Sequence, residues 1–279
     1  MFEVQSFRSY PEARVAFRDR KPAVFAHDGP RQNHLLAALP PDDYERLLAD
    51  LDPFPLPHGW TVHRAGDCER HLYFLTAGIV SRFCVLEDGA SAEFAVTGNE
   101  GVIGVASFLG GTSTPGQAVV LTAGYSYRLR TELVKGQFDH DGPLPRLLLR
   151  YTQALMAHIG QIAAGKQRHS LEQRLCRWIL SCLDRLPSNE LTVTQDLIAA
   201  MLGVRRVGVT EAAGRLQEAG LIHCGRGHLA VLDRPRLEAR ACECYAVIRR
   251  AYDPLLRLEY SLGNAGVRGP CRQAHCGLV

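Results

Sequence analysis

The stretch from Leu191 to Ile222, LTVTQDLIAAMLGVRRVGVTEAAGRLQEAGLI, constrains this chain more than any other. Two short helical patterns meet there at Gly203-Val204-Arg205. Thr194 has the side chain of an N-cap, and Leu197, Ile198, Met201 and Leu202 follow at helical spacing. Gly203 supplies the left-handed residue that a tight turn between helices needs. The second helix, roughly Val207 to Ala219, turns Val209, Ala212, Ala213 and Leu216 inward. Arg205, Arg206, Thr210, Glu211 and Arg215 stay on its first turn and outer face. A plain two-helix hairpin shares the apolar pattern. It has no reason to open a helix with two arginines, where the dipole disfavours cations. The pattern implies a helix-turn-helix whose second helix fits the major groove of DNA.

At 279 residues the chain is long enough for two domains with cores of their own. No apolar run approaches the ~20 residues of a membrane span, and the N-terminus lacks the apolar region of a secretory signal. A cytoplasmic protein with no membrane partner is expected. The net charge of +3 says little, but its distribution says more. From His169 to Arg250 there are 12 arginines, no lysine and 9 acidic residues, a surplus suited to phosphate and bidentate base contacts. Nine cysteines, scattered and odd in number, read as reduced thiols. Cys242 and Cys244 fall two apart on an expected helix and so point to different faces. Cys271, His275 and Cys276 form an incomplete tetrahedral set whose spacing matches no zinc module, so no metal is expected there.

Taken in order, residues 1–32 hold Pro11, Pro22 and Pro30 and read as a disordered arm. Asn33 to Asp52 reads as two short helices broken at Pro40-Pro41, with Asp42 capping the second and Tyr44, Leu47, Leu48 and Leu51 as its stripe. From Phe54 the period becomes two. Strands are expected at 61–64, 71–75, 78–86, 91–96, 117–121 and 124–130, with a Gly-rich turn over 101–109. Eight or so short strands at even spacing predict an antiparallel barrel or jelly roll.

Pro143 then opens a helix in which Leu144, Leu148, Tyr151, Leu155, His158 and Ile162 alternate steps of four and three. That heptad seam is expected to pair with a second copy, leaving Leu147 and Ile159 to face the barrel. Gly160 and Gly165 mark a candidate hinge. Another helix covers 169–184. After the helix-turn-helix, two short strands joined by Gly225-Arg226-Gly227 form a wing with Arg226 at its tip, placed to reach a phosphate. Leu237 to Tyr252 is the last helix, and residues 253–279 read as a disordered tail.

Barrel, long helix and winged helix-turn-helix in this order resemble the bacterial Crp/Fnr-type transcription regulators. Gly59 to Asp67 looks like that family's first barrel turn, Leu72 to Val80 resembles its next strand pair, and Gly101-Val102-Ile103-Gly104 resembles the start of its phosphate-binding cassette. Members that bind cyclic AMP follow that glycine with Glu and later use Arg-Ser-Ala. Here Val105 and Pro115-Gly116-Gln117-Ala118 stand at those places. Without the arginine no cation neutralises a buried phosphate, so cyclic AMP is not expected. Residues 1–67 contain no cysteine, so the iron–sulfur cluster of the oxygen-sensing members is not expected either. His63, His71 and Cys84 read as ordinary strand positions rather than haem ligands. The resemblance keeps a guanine-reading arginine at Arg206, but puts Val207 where the best-known members have glutamate and Glu211 where they have arginine.

The expected architecture is α+β: a cyclic-nucleotide-binding-like barrel over 33–142, a dimerisation helix and hinge over 143–168, and a winged helix-turn-helix over 169–252. The expected DNA-facing set is Thr194, Gln195, Arg205, Arg206, Val207, Thr210, Glu211, Arg215 and Arg226. Glu211 can accept from cytosine or lock Arg215 by an i,i+4 pair. The expected partners are double-stranded DNA, a second copy of the chain and, for an activator, RNA polymerase. The alternative is a thiol- or metal-based sensor with DNA binding as its output. No nucleophile elbow, P-loop, dinucleotide fingerprint or zinc-protease motif suggests catalysis.

Overall fold

Buried Asn33 anchors the first helix to the sheet behind it. Its Oδ1 accepts from the backbone N–H groups of Leu35 and Leu36, and its Nδ2 donates to Leu75 O at 2.9 Å and Gly101 O at 2.8 Å. It thereby caps α1 (His34–Ala37). The computed structural model describes residues 29–111, 113–138 and 142–256. Of the expected arm, residues 1–28 lie outside the described residues, while Pro30–Gln32 form one 3-10 turn with Pro30 buried. In α2 (Pro41–Leu48) the cap is Pro40, and Asp42 falls in the first turn instead. Tyr44, Leu47 and Leu51 are buried, whereas Leu48 is exposed.

The sheet is antiparallel throughout: β1 (Asp52–Leu56), β2 (Thr61–His63), β3 (His71–Val85), β4 (Ser91–Thr97), β5 (Val102–Ile103) and β6 (Gln117–Arg130). Its order is β1-β6-β3-β4, with β2 on β6 and β5 on β3. Four of the expected short strands are therefore two long ones. The reason lies at Gly78 and Gly124, where β3 and β6 cross. A Cβ on Gly78 would stand 2.6 Å from Thr122 O, and one on Gly124 would stand 2.0 Å from Ala77 O. Glycine lets the strands bend past each other without ending, so it marks a kink there and not a turn. The prolines of β1, Pro53 and Pro55, sit on an edge strand, where a missing N–H breaks no ladder. Val105–Ser107 form a single 3-10 turn within the Gly-rich stretch, and α3 (Thr131–Phe138) follows the sheet.

Helix α4 (Pro143–Arg168) starts at Gly142-Pro143 and runs for 26 residues through Gly160 and Gly165. The chain turns only at His169, which corrects the expected hinge. The seam is corrected as well. Leu144, Leu148, Tyr151, Leu155 and His158 are at most 6% exposed, packed within the chain against the sheet, α1 and the last helix. Ile162 is partly buried on the same side. Over two and a half heptads a straight helix drifts only about 50° from a 3.5-residue repeat. That fits inside one broad apolar face, so the period does not tell a partner chain from the chain's own core. The outward face carries a second series at the same steps, Leu149, Gln153, Met156, Gly160, Ala163 and Gln167, all exposed and none charged.

Beyond α4 come α5 (Leu171–Leu183), β7 (Glu190–Thr192), α6 (Gln195–Leu202), α7 (Arg206–Glu218), β8 (Ile222–Gly225), β9 (His228–Val231), α8 (Arg234–Arg240) and α9 (Cys244–Leu256). A reciprocal Ser170–Gln173 capping box starts α5. The expected last helix is thus two helices, broken at Ala241–Glu243, and the expected opposite orientation of Cys242 and Cys244 fails with it. Both thiols are buried. The tail beyond Leu256, with Cys271, His275 and Cys276, lies outside the described residues.

The domains share a core. Ile79, Phe83, Val96 and Leu121 of the sheet pack in one cluster with Trp178 and Ile179 of α5 and Met201 of α6. Polar contacts reinforce it. Trp178 Nε1 donates to Glu93 Oε1 at 2.8 Å, and Ser81 Oγ donates to Glu93 Oε2 at 2.6 Å. Burial pushes the Glu93 carboxyl up to about 7 against the opposing pull of those two donors.

Candidate nucleic-acid interface

Helices α6 and α7 meet where the sequence places them. Thr194 Oγ1 accepts from Leu197 N at 3.2 Å, and Gly203 closes α6 in the left-handed conformation at φ 64°. Val209, Ala212, Ala213 and Leu216 hold α7 to the core. Arg205 is its N-cap residue and makes no capping bond, so its side chain is left to solvent.

The first turns of α7 present Arg205, Arg206, Val207, Thr210 and Glu211 together, with Val207 67% exposed. An apolar side chain so exposed at a helix N-terminus is covered by nothing among the described residues. Arg206 Nη1 lies 3.5 Å from Asp196 Oδ2, a contact between two exposed groups that is worth at most about 1 kcal/mol. Thr210 Oγ1 donates to Gln195 Oε1 at 2.7 Å, which joins the start of α6 to the outer face of α7. Arg215 does not pair with Glu211. It turns back to Glu172 of α5 at 2.9 Å, and Arg240 meets the same carboxylate at 3.2 Å. Glu211 is thereby left facing outward, and the locking reading falls.

The wing forms as expected. β8 and β9 pair from Ile222↔Val231 to Gly225↔His228, leaving Arg226-Gly227 as a two-residue turn with Gly227 at φ 71°. Arg226 is exposed at the tip. Two supports went unforeseen. Strand β7 pairs with β9 and makes the wing three-stranded. Gln217 Oε1 accepts from Cys224 N at 2.8 Å and ties the wing to the end of α7. The glycines of the turn signalled the hairpin, while no local signal marks a three-residue strand or a glutamine bond across the domain.

The sheet domain reaches this unit directly. Its β3–β4 hairpin lies against α6, with Ser91 Oγ donating to Ala200 O at 3.2 Å. Leu86, Gly89 and Ala92 line a half-open cleft of about 700 Å3 with Thr194, Val204 and Arg205 on its other wall. A displacement of the hairpin would therefore be felt at the turn that precedes the exposed arginines.

Inside the sheet domain one expectation changes. A buried cation does exist there: Arg82, 6% exposed, donates through Nη2 to Val102 O and to Tyr151 Oη. It is already engaged, and the Tyr151 ring is pressed on the cassette opening so closely that a Cβ on Gly101 would stand 2.4 Å from it. His63 lies 3.6 Å from Glu69, but burial and the Arg82 charge push it down to about 4, so it is neutral at pH 7 and this contact is not an ion pair. The small cavity beside it, about 210 Å3, is also lined by Cys68, Arg70 and His71. Cys84 belongs to neither group.

Comparison with known proteins agrees with this geometry. Residues 54–141 match the family model of the cyclic nucleotide-binding domain, and residues 173–240 match that of the Crp-like helix-turn-helix domain, together more than half of the chain. Among solved structures, FixK2 from Bradyrhizobium japonicum superposes with a TM-score of 0.60 at 17% identity, covering 69% of this chain and 98% of its own. A CRP-family transcriptional regulator from Thermus thermophilus gives 0.56 at 23% identity, with 68% and 96% covered. The c-di-GMP responsive regulator CLP from Xanthomonas campestris gives 0.55 at 20% identity, with 67% and 96% covered. Likenesses at these identities bear on the fold alone. No curated protein matches the sequence.

Proposed function

The chain belongs to the Crp/Fnr type of transcription regulator, and from that premise we propose a homodimer that reads a near-palindromic DNA site with α7 and answers a signal at the sheet domain. The observation that carries this is the outward row of Arg205, Arg206, Val207, Thr210 and Glu211, none of it used by the chain's own core. Arg206 is the guanine reader, a bidentate contact worth about 1–3 kcal/mol of discrimination. Val207 offers a methyl contact where the best-known members place a glutamate, so the operator differs from theirs. Thr194, Gln195 and Arg226 flank the row and face phosphates, while Arg215 is held by Glu172.

The second copy docks on the outward face of α4, along Leu149, Gln153, Met156, Gly160 and Ala163. Leu149 is 50% and Met156 68% exposed, and the small residues let two helices approach closely. Such a dimer sets its recognition helices about one DNA turn, ~34 Å, apart. The signal reaches α7 through the β3–β4 hairpin. It is not cyclic AMP bound in the family's usual manner, because Val105 and the segment Pro115-Gly116-Gln117-Ala118 stand where the nucleotide's partners would, while Tyr151 fills the space at Gly101. It is not an iron–sulfur cluster on N-terminal cysteines, since residues 1–67 have none. The regulator works in the cytoplasm without catalysis, and meets RNA polymerase where it activates. No described helix is long and apolar enough to cross a membrane.

Selection of DNA by the purified protein, repeated with Arg206→Ala, tests the reading. Discrimination should vanish at one position of each half-site; uniform weakening at all sequences makes Arg206 a phosphate contact. Met156→Glu should convert the dimer to monomer in sedimentation, and an unchanged dimer removes the α4 stripe from the interface.

A further inference from the structure

The turn after α4 and the break between α8 and α9 bring three soft donors together. His169 is the C-cap residue of α4, its backbone N–H bonded to Gly165 O. Cys242 lies in the break after α8, and Cys244 opens α9. One ligand atom from each of the three lies within 4.8 Å of the other two, the one such grouping of His, Cys, Asp or Glu among the described residues. Metal–sulfur bonds of about 2.3 Å and a metal–nitrogen bond of about 2.1 Å put tetrahedral ligand atoms roughly 3.5–3.8 Å apart. With all three atoms within 4.8 Å of one another, the grouping contracts by at most about 1 Å to hold one ion.

The surroundings suit an anionic centre. Arg177 is 3% exposed, and its Nε and Nη1 have no hydrogen-bond partner. A point beside Gly165, where a Cβ would stand, lies 3.3 Å from His169 Cδ2, 3.4 Å from Cys244 Sγ and 3.8 Å from Arg177 Nη1. A buried guanidinium with two unsatisfied nitrogens is costly beside two neutral thiols and well placed beside two thiolates. On the outer side Glu243 is 74% exposed, and its carboxylate lies 3.4 Å from His169 Nε2.

We propose that His169, Cys242 and Cys244 bind one zinc-class divalent ion, with Glu243 in the fourth position, tying the end of α4 to the α8–α9 break. Two sulfurs and one imidazole select a borderline-soft metal over magnesium or calcium. Binding releases the two thiol protons to solvent and moves no electrons. Two thiolates, a divalent ion and one carboxylate leave a single negative charge, which Arg177 balances. The site stands apart from the DNA reading, since none of its residues lies on the outward face of α7.

The test is titration of the reduced, metal-free full-length protein with Co2+, followed by displacement with Zn2+. One equivalent should bind with a thiolate-to-cobalt charge-transfer band that Zn2+ removes. Cys242→Ser and Cys244→Ser should each weaken binding at least on the order of 100-fold, and Glu243→Gln should weaken it while keeping the band. Because both thiols are buried, His169→Gln, at a partly exposed side chain, carries the same test with less risk to the fold; it should weaken binding about 10- to 100-fold. Zn2+ should also raise the melting temperature of the parent protein and not that of these variants, apart from Glu243→Gln. The doubly substituted Cys271→Ser/Cys276→Ser protein should behave as the parent. The proposal is overturned if the parent binds no stoichiometric Co2+, if His169→Gln binds as tightly as the parent, or if the band follows Cys271 and Cys276.

Discussion

Arg206 and Arg185 carry the same guanidinium into opposite surroundings. Arg206 is 65% exposed and meets one exposed carboxylate at 3.5 Å. Arg185 is 6% exposed, holds Glu100 of the sheet domain at 2.7 Å and lies over the Tyr252 ring at 5.7 Å. Burial works against its charge, and the Glu100 carboxylate more than offsets it. Between these extremes, Arg215, Arg234, Arg236 and Arg240 lie at the surface yet pair with Glu172, Asp184, Asp233 and Glu172 again. The arginine-rich second half of the chain is therefore not one basic surface. Arg185, Arg215, Arg234 and Arg240 tie separate elements together, while Arg205, Arg206 and Arg226 stand outward on the α7 and wing side. Loss of an inner arginine should show in stability, and loss of an outer one in DNA binding.

The largest effect belongs to the interior. Arg185→Ala strands the Glu100 carboxylate, 9% exposed, against the backbone of Gly98 and the face of α5. Breaking a buried pair from one side costs about 3–5 kcal/mol, readable as a lower denaturant midpoint. Replacing both partners with apolar residues of similar volume should recover most of it. A loss below about 1 kcal/mol would show that solvent screens the pair, and the contrast with Arg206 would then collapse.

How far the sequence discloses this division follows from the range of each signal. The Thr194 cap, the Gly203 turn, the apolar face of α7 and the Gly225-Arg226-Gly227 tip are set within four or five residues, and all of them are legible. Arg236 meets Asp233 within one turn, but the long-range partners, Glu172 for Arg215 and Arg240, Asp184 for Arg234 and Glu100 for Arg185, stand 43 to 85 residues away, and no local spacing announces them. The seam of α4 misleads for a related reason. Its period reports an apolar face, and which body covers that face is decided by α9 and the sheet. The α8–α9 break lies in ACE, without proline or glycine, so nothing in the sequence separates Cys242 from a helix.

A smaller effect, and one tunable by pH, belongs to Glu93 at the boundary between the regions. Ser81 and Trp178 donate to it, and Arg177 and Arg185 face it, yet burial outweighs all four and raises the carboxyl to about 7. The folded chain then binds a proton that the unfolded chain, with an ordinary glutamate, has lost above about pH 4.5. Stability from this group is full below that pH and declines as pH rises toward 7, by about 3 kcal/mol in all. Glu93→Gln should flatten that slope between pH 5 and 7.5 in denaturant titrations. An unchanged slope would place the titration elsewhere.

The smallest expected effect separates the outer arginines from one another. Arg226 sits at the tip of the wing between two glycines, with no acid beside it among the described residues, so neither its position nor its charge is fixed by the chain. An exposed cation at the wing tip suits a phosphate, which offers the same target at every sequence. Arg226→Ala should therefore weaken specific and random DNA alike, and lower the slope of log affinity against log salt by about 0.9 for each tip lost. Stability should change by less than about 0.5 kcal/mol, as for an ordinary surface position. Should the substitution instead alter preference at one base pair while leaving the salt slope intact, the wing reads sequence, and the division between positioning and reading arginines has to be drawn inside the outer group.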